Sequence, residues 1–405
     1  AAFLVGYVLF EVPGGWLGDA WGSRAVITGI VLWWSLWTAL TGSMDAGIRW
    51  VVHDPAPWLL VGGLVLARFA FGLGEAGAFP NVGRVLACWF PYRDRGTAQG
   101  AVWMSSRLGG ATAPLITGVL MLLTGGWRGA FWVLGLAGVL WAVLFSLWFR
   151  DRPEDSPGVN PAETALIRDG REVAGPAPEG LGRVPWNLLL RSANLWAICL
   201  CSFALNFSWY FYITFLPKFL RDKFGVDFAG SELMTGLPLL IGGISCLIGG
   251  RLSDVLIRRT GSKRWGRSLV GLAGMAAAGL CVLVVPALGT AWGIIAAICV
   301  ACAFQDLAVP VLWAVCADVG QEYAGTVGGC MNALGSIGGV LSPLLAAWLG
   351  WDGVFFAYAA AYGVGGLLWL GIDAGRPVAE AGRPSGPPRS QSGKTAGPYP
   401  FTGTE

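Results

Sequence analysis

The chain has 405 residues, of which 55% are hydrophobic and only 13% are charged, and its formal net charge is +3. Soluble domains carry about 25% charged residues, whereas the apolar residues here gather in runs of about 20 residues, enough to cross ~30 Å of hydrocarbon. This composition excludes an ordinary soluble protein, and the basic residues form no single face of the kind that binds nucleic acid.

Apolar runs along the chain predict eleven membrane-spanning helices. Their ranges are 1–17, 25–44, 58–83, 97–123, 127–149, 194–216, 232–250, 268–286, 291–314, 324–349 and 352–372. Proline, glycine and charge in the central segment predict a linker, and the low complexity of the C-terminal segment is typical of a disordered tail. We therefore expect an all-α polytopic membrane protein with an N-terminal bundle (1–149), a linker (150–193), a C-terminal bundle (194–372) and a tail (373–405).

The Lys and Arg residues are distributed unequally between the loops. If the linker is placed in the cytoplasm and the spans alternate, most of these residues fall on the cytoplasmic side, as the positive-inside rule predicts. This orientation places the linker and the tail in the cytoplasm and residue 1 outside. One preceding helix would return the N-terminus to the cytoplasm and bring the total to twelve.

A short motif occurs twice, as GGWLGD at 14–19 and as GGRLSD at 249–254. Each copy follows an apolar span and precedes a basic turn. Adjacent glycines let helices approach closely, and the aspartate can cap a helix or pair with an arginine. Two copies on either side of one linker predict two related halves, an arrangement found in transporters that bind substrate near the membrane midplane.

The first copy and its flanks, GGWLGDAWGSR, resemble the signature loop of the major facilitator superfamily. The stretch ARFAFGLGEAGAFPNVGRVLACWFPYRDRGTAQG resembles the anion:cation symporter family, which includes bacterial sugar-acid transporters and the sialin and vesicular glutamate carriers. Further matches are GWRGAFWVLG (126–135), FLPKFL (215–220), FQDLAVPVLWA (304–314) and MNALGSIGGVLSP (331–343). The resemblance runs to about residue 372 and implies two pseudo-symmetric helical bundles, with the first of twelve helices missing here.

Arg68 and Glu75 are charged residues within an apolar run. A charge at the centre of a membrane helix costs at least ~2.5–3.5 kcal/mol, so such residues usually face a cavity or a partner. Seven residues are two helical turns, so both side chains can point to one side. The resemblance implies that Arg68 binds the substrate anion and that Glu75 takes part in proton coupling; a permanent ion pair between them is the alternative.

Further polar residues within the spans could contact a substrate. They are Tyr7, Arg107, Asn206, Tyr210 and Asn332. Asp306 is a second candidate for proton coupling, or a structural cap before Pro310. Packing, pairing or helix–helix hydrogen bonding stays open for each of these residues.

Charged residues near the two repeated turns are candidates for conformational gating. They are Asp19, Arg24, Asp254 and Arg258. In a rocking bundle they would stabilise the outward-open state through cytoplasmic contacts. The alternative is that they are solvated residues of ordinary turns.

These features predict a monomeric secondary active transporter in the inner membrane of a bacterium. It would carry a small organic anion, a sugar acid such as hexuronate, aldonate or glucarate, by H⁺ symport and alternating access, without cofactor or metal. Another carboxylate, phosphate, Na⁺ coupling or a non-transporting solute sensor stays open. A membrane enzyme is not expected, because the only histidine, His53, lies in a loop and no DDxxD, HxxxxD or Walker motif is present.

Overall fold

The computed structural model of the protein describes residues 2–169 and 184–378, and its regular elements there are all helical. The helices are α1 Ala2–Trp21, α2 Ser23–Val51, α3 Pro57–Glu75, α4 Ala78–Trp89, α5 Arg95–Thr124, α6 Trp127–Trp148, α7 Pro161–Asp169, α8 Trp186–Arg191, α9 Ala193–Thr214, α10 Leu216–Phe224, α11 Phe228–Thr260, α12 Lys263–Val284, α13 Ala291–Gly320 and α14 Ala324–Gly371. Part of the predicted linker (170–183) and most of the predicted tail (379–405) lie outside the described residues.

Each predicted span contains a helix. Among the described residues, nine stretches are long and apolar enough to cross a membrane. One of them, 291–351, combines α13 with the first part of α14, and α1 is not among the nine. The backbone of α14 turns at Gly350, where φ is 70°, so this element consists of two helices. The prediction of an all-α membrane protein is confirmed.

Several helices differ in extent from the predicted spans. The span 232–250 lies within α11, which has 33 residues. The apolar pattern ends at Arg251, but a helix can continue beyond the hydrocarbon with charged side chains. The span 58–83 is divided into α3 and α4 by a short break at Ala76 and Gly77.

The linker contains the helix α7, which the composition of the linker did not predict. Asn160 precedes this helix and accepts a hydrogen bond from the backbone N–H of Glu163 at 2.8 Å. Pro161 occupies the first helical position, where its missing N–H costs nothing. The sequence Asn-Pro-Ala-Glu therefore carries an ordinary helix start within a segment that we expected to be irregular.

Two helix pairs, each with one helix from before the linker and one from after it, form matching contacts between the two sides. Before the linker, α1 packs on α3 and α2 packs on α6; after it, α9 packs on α14, and α11 and α12 pack on α13. Across the two sides, α1 contacts α14 and α5 contacts α11. Thus α1 and α11, the helices that contain the two repeated turns, each pack on a helix from the other side of the linker. The exact domain boundaries stay a prediction.

The two sides of the linker differ at one helix face. Aligned on Gly-Thr at 96–97 and 325–326, α5 and the start of α14 also share a Gly-Gly pair, at 109–110 and 338–339. The pair on α14 packs against α9, where a side chain on the first glycine would collide with the backbone oxygen of Phe203. A side-chain carbon on either glycine of the α5 pair would meet no atom of another described element within 4 Å. The predicted twelfth helix stays a prediction.

Candidate functional site: a central cavity and a closed end

A cavity of about 230 Å³ lies between the helices that precede the linker and those that follow it. Its polar lining residues are Tyr7, Glu75, Arg107, Ser202, Asn206, Tyr210, Gln305, Asn332 and Ser336, and its aromatic walls include Phe3, Phe79, Trp103, Trp209 and Trp313. The structure thus brings five of the six predicted substrate-binding residues, all but Arg68, to one cavity. Apolar walls with a few convergent polar groups are typical of small-molecule sites.

The cation of the cavity, Arg107, forms a bidentate ion pair with Asp306. The Nε atom of Arg107 lies 3.1 Å from Oδ2 of Asp306, and the Nη2 atom lies 2.8 Å from Oδ1. Asp306 is fully buried behind the guanidinium group. These two bonds use two of the five N–H groups of an arginine, and Arg107 also lines the cavity.

Aromatic rings hold the guanidinium group of Arg107 in place. Its central carbon lies 3.7 Å from the ring centroid of Trp209 and 5.6 Å from that of Trp103. Trp103 in turn stacks on Phe79 with ring centroids 4.7 Å apart. Because rings of α5 and α9 lie over one cation that binds α13, Arg107 connects helices from both sides of the linker.

Glu75 is the acidic side chain that lines the cavity. It is the last residue of α3, and no hydrogen bond or ion pair links it to another described side chain. The phenol oxygen of Tyr7 accepts a 3.4 Å hydrogen bond from Nδ2 of Asn332. Asn206 donates to the backbone oxygen of Ser202 on its own helix at 3.0 Å. Because no described cationic side chain is bound to the carboxyl group of Glu75, gain or loss of a proton there would break no ion pair.

The first repeated turn closes one end of the structure through Asp19. Its Oδ1 atom accepts the backbone N–H of Gly325 at 3.1 Å, and its Oδ2 atom accepts the N–H and the hydroxyl of Thr326, both at 2.7 Å. These groups form the start of α14, whose free N–H groups and positive dipole end favour a carboxylate. Asp19 therefore caps a helix from the other side of the linker.

The second repeated turn forms the same contact in the opposite direction. Oδ1 of Asp254 accepts the N–H of Gly96 at 3.1 Å, and Oδ2 accepts the N–H and hydroxyl of Thr97 at 2.6 and 2.7 Å. Asp254 thus caps α5 as Asp19 caps α14. We call the end of the structure where both caps lie the turn end.

Sequence reasoning missed the partners of these two aspartates. The signal was available, because the dipeptide Gly-Thr occurs at 96–97 and at 325–326, in each case just inside a predicted span. The repeat becomes informative only when it is read together with GGWLGD and GGRLSD. Each aspartate then caps a helix on the half that does not contain it.

A buried charge network strengthens the closed turn end. Arg267 is fully buried and binds Asp254 at 2.8 Å and Asp318 at 3.1 Å. The second oxygen of Asp318 binds Arg95, at the start of α5, at 2.8 Å. None of the residues Arg95, Arg267 and Asp318 was a predicted gating residue. Each lies near a span boundary, where sequence alone does not distinguish a solvated charge from a buried one.

These two halves, joined by reciprocal helix caps around one polar cavity, have a match among known families. Residues 1–343 fit the family model described as Major Facilitator Superfamily. The chain belongs to the major facilitator superfamily. It is therefore a membrane transporter and not an enzyme, as the sequence analysis predicted.

Curated relatives of this superfamily member carry the names of anion transporters. The chain is 33% identical to a probable sulfoacetate transporter of Cupriavidus necator, with 92% of this chain and 84% of the relative covered. It is 31% identical to a probable galactarate/D-glucarate transporter of Bacillus subtilis, with 86% and 76% covered. The predicted resemblance to anion transporters of the superfamily is confirmed by these relatives.

Solved structures support the same fold. The proton:xylose symporter XylE, bound to 6-bromo-6-deoxy-D-glucose, aligns with a TM-score of 0.73 at 15% identity, covering 94% of this chain and 87% of that one. The human organic anion transporter MFSD10 aligns with a TM-score of 0.66 at 15% identity, covering 91% and 82%. At such low identity the likeness shows the major facilitator fold alone.

One predicted binding residue, Arg68, does not lie in the cavity of this transporter. Its side chain is exposed, and its guanidinium carbon lies 5.8 Å from the ring centroid of Phe131 on α6. The expectation that Arg68 and Glu75 share one site is not met. Seven helical residues separate the two groups by about 10 Å along the axis, so a shared side does not bring them to one cavity.

Two predicted gating arginines occupy different positions at the turn end. Arg24 contacts the first half and the start of the linker: its Nε donates to the backbone oxygen of Ser146 at 2.8 Å, and its backbone N–H donates to Asp151 at 2.9 Å. The expectation of a contact between halves is therefore not met for Arg24. Arg258 does bridge the halves, binding Asp94 at 2.8 Å, but both side chains are largely exposed. Such exposed pairs contribute about 0–1 kcal/mol.

Adding a methyl group at the two close contacts of the turn end should keep that end from closing. A side chain at Gly15 would collide with the backbone oxygen of Gly325, and one at Gly250 with that of Gly96. We expect Gly15→Ala and Gly250→Ala to lower uptake severalfold in reconstituted vesicles. Gly29→Ala, where nothing lies within 4 Å, should leave uptake unchanged; equal effects of all three variants would contradict this reading.

Proposed function

We propose that this protein is a secondary active transporter of a small organic anion, coupled to protons and working by alternating access. The candidate substrates are sugar acids such as glucarate, and small sulfonates such as sulfoacetate, the solutes in the names of its relatives. The observation that carries the proposal is a cavity lined by Arg107, which also binds Asp306 on the opposite half. Positive residues near the turns favour a cytoplasmic turn end, in a bacterial inner membrane.

Arg107 supplies the anion site in this proposal. A guanidinium group binds carboxylate and sulfonate oxygens through paired N–H donors, and its Nη1 group is not used by Asp306. Hydroxyl and amide groups of Tyr7, Asn206 and Asn332 line the same cavity and are suited to hydroxyl groups of a sugar acid. An anion on Arg107 would compete with Asp306 and so loosen a link between the two halves.

The balance of charges at the cavity supports proton coupling. The cavity side chains Glu75 and Arg107, together with Asp306 behind Arg107, carry more acidic than basic groups. A bare anion would be repelled by an ionised Glu75 in a low-dielectric site. Protonation of Glu75 removes that repulsion, so the anion and the proton should bind together.

A panel of labelled anions tests the substrate class. Purified protein in proteoliposomes is offered glucarate, galactarate, a hexuronate, sulfoacetate and inorganic phosphate in a counterflow assay, with empty liposomes as the control. We expect exchange of at least one carboxylate or sulfonate and none of phosphate. Binding without exchange would favour a solute sensor, and neither binding nor exchange across the panel would remove the proposal.

Replacing Glu75 by glutamine should separate coupling from binding. The amide mimics the protonated acid but cannot release a proton, so we expect uptake driven by a pH gradient to fall at least tenfold while counterflow falls less than threefold. Glu163→Gln, in an exposed helix of the linker, is the matched carboxyl control. Equal losses of gradient-driven uptake and counterflow would argue against a coupling role for Glu75.

A further inference from the structure

Glu11 is a buried carboxyl group that the proposed mechanism does not use. It lies on α1 at the contact with α14 and is fully buried. Its Oε1 atom accepts hydrogen bonds from the amide of Asn332 and from the hydroxyl of Ser336, the latter at 3.1 Å. Its Oε2 atom is buried and has no hydrogen-bond partner among the described residues.

No positive charge compensates Glu11 in the part of the chain that the structure describes. The titratable groups around it are the hydroxyls of Tyr7 on α1 and Tyr210 on α9, and beyond them the carboxyl group of Glu75 on α3. From α14 it faces the neutral side chains of Asn332 and Ser336.

Basic side chains on the surrounding helices have other partners. On α3, Arg68 lies beside the ring of Phe131. On α4, Arg84 binds Asp19 at 3.2 Å, two helical turns from Glu11 toward the turn end. On α5, Arg107 binds Asp306 at 2.8 Å. None of the three is a partner of Glu11.

Burial of Glu11 without a described cation beside it favours the neutral acid. In a protonated carboxyl group one oxygen accepts hydrogen bonds and the other carries the proton. Oε1 is the acceptor of both bonds at this site, and Oε2 is the oxygen left over for the proton. An ionised carboxylate would place a full negative charge in a buried site with one oxygen unsatisfied, which is far more costly.

Resting on the proposed function, we propose that Glu11 is a second proton-binding site, which holds a proton while α1 and α14 are in contact and releases it when they separate. Both donors to Glu11 come from α14, so the site is complete only when the halves meet there. Separation of the halves would admit water and favour ionisation. Each transport cycle would then carry one proton at Glu11 in addition to the proton at Glu75.

Proton-to-substrate stoichiometry tests this assignment. We compare wild-type protein with Glu11→Gln, measuring the membrane potential at which net flux of a transported anion reverses under fixed pH and substrate gradients. We expect the variant to retain counterflow and to carry one proton fewer per anion. Glu322→Gln, which alters a partly exposed carboxyl group near the turn end, should keep the wild-type value. An unchanged stoichiometry in Glu11→Gln would overturn the proposal.

Infrared spectroscopy provides a readout that does not depend on transport. The spectrum of the purified wild-type protein should contain a protonated-carboxyl C=O band that Glu11→Gln lacks. If that variant does not fold, Glu11→Asp should shift the frequency of the band. A spectrum unchanged by either substitution would refute the proton site. Absence of any anion flux in the wild type would instead contradict the proposed function, and the infrared band would still decide the protonation of Glu11.

Discussion

Arg107→Gln should abolish anion uptake and destabilise the protein, because it removes the cavity cation and leaves Asp306 as an unpaired charge. Asp306 is fully buried and bonded to Arg107 through both oxygens. Removing one partner of a buried ion pair costs about 3–5 kcal/mol, since the other charge remains without compensation. The loss should appear in thermal unfolding in detergent as well as in uptake.

A second substitution separates the two effects of Arg107→Gln. In Arg107→Gln/Asp306→Asn both charges are gone, and two amides of similar shape can bond to each other. We expect thermal stability to return most of the way to the wild-type value, as a double-mutant cycle on a contacting pair should show. Uptake should remain absent, because the anion site is still missing. Near-normal uptake in either variant would contradict the assignment of Arg107.

Removing one helix cap at the turn end should open that end as a whole. Asp19→Ala removes three hydrogen bonds to the start of α14, and Asp254→Ala removes three to the start of α5. Loss of a cap costs about 0.5–2 kcal/mol. Asp254→Ala also removes one of the two carboxylates that bind the buried Arg267, so its total cost should be the larger of the two. Because the caps exist only in the closed end, the cap cost alone shifts the equilibrium toward opening by about 2–30-fold.

Hydrogen–deuterium exchange measures the opening directly. If the turn end opens as one unit, either variant should raise exchange in both peptides, 95–102 and 324–331, whose first amides the aspartates cap. Arg258→Ala is the matched control, since its ion pair with Asp94 also joins the halves but is exposed. It should change exchange little. Faster exchange only in the peptide whose own cap was removed would argue against a concerted gate.

Much of the fold could be predicted from sequence because the bilayer imposes one simple rule. A spanning segment must satisfy its own backbone, so long apolar runs become helices. The rule does not apply outside the hydrocarbon, where α11 continues beyond Arg251 and where α7 forms within the linker. Both extensions mix charged with apolar residues, RLSDVLIRRT in α11 and PAETALIRD in α7, so neither forms a long apolar run.

Most residues of the candidate site could be predicted from the sequence, but the ion pair between two of them could not. Tyr7, Asn206 and Asn332 were chosen as polar residues within apolar spans, and all three line the cavity. The partner of Arg107 is Asp306, far along the chain on another half, and no local spacing identifies such a pair. The spacing of Arg68 and Glu75 is local, yet the two side chains lie apart, because the helix axis separates residues that share a face.

Gradient-driven accumulation tests the central claim most directly. Proteoliposomes with purified protein receive a transported anion, glucarate or sulfoacetate, under an inwardly directed proton gradient, with and without a protonophore. Proton-coupled transport through the Arg107 cavity predicts accumulation above the external concentration that the protonophore abolishes and that Arg107→Gln lacks. Equilibration to the external concentration alone, unchanged by the protonophore, would contradict proton-coupled transport.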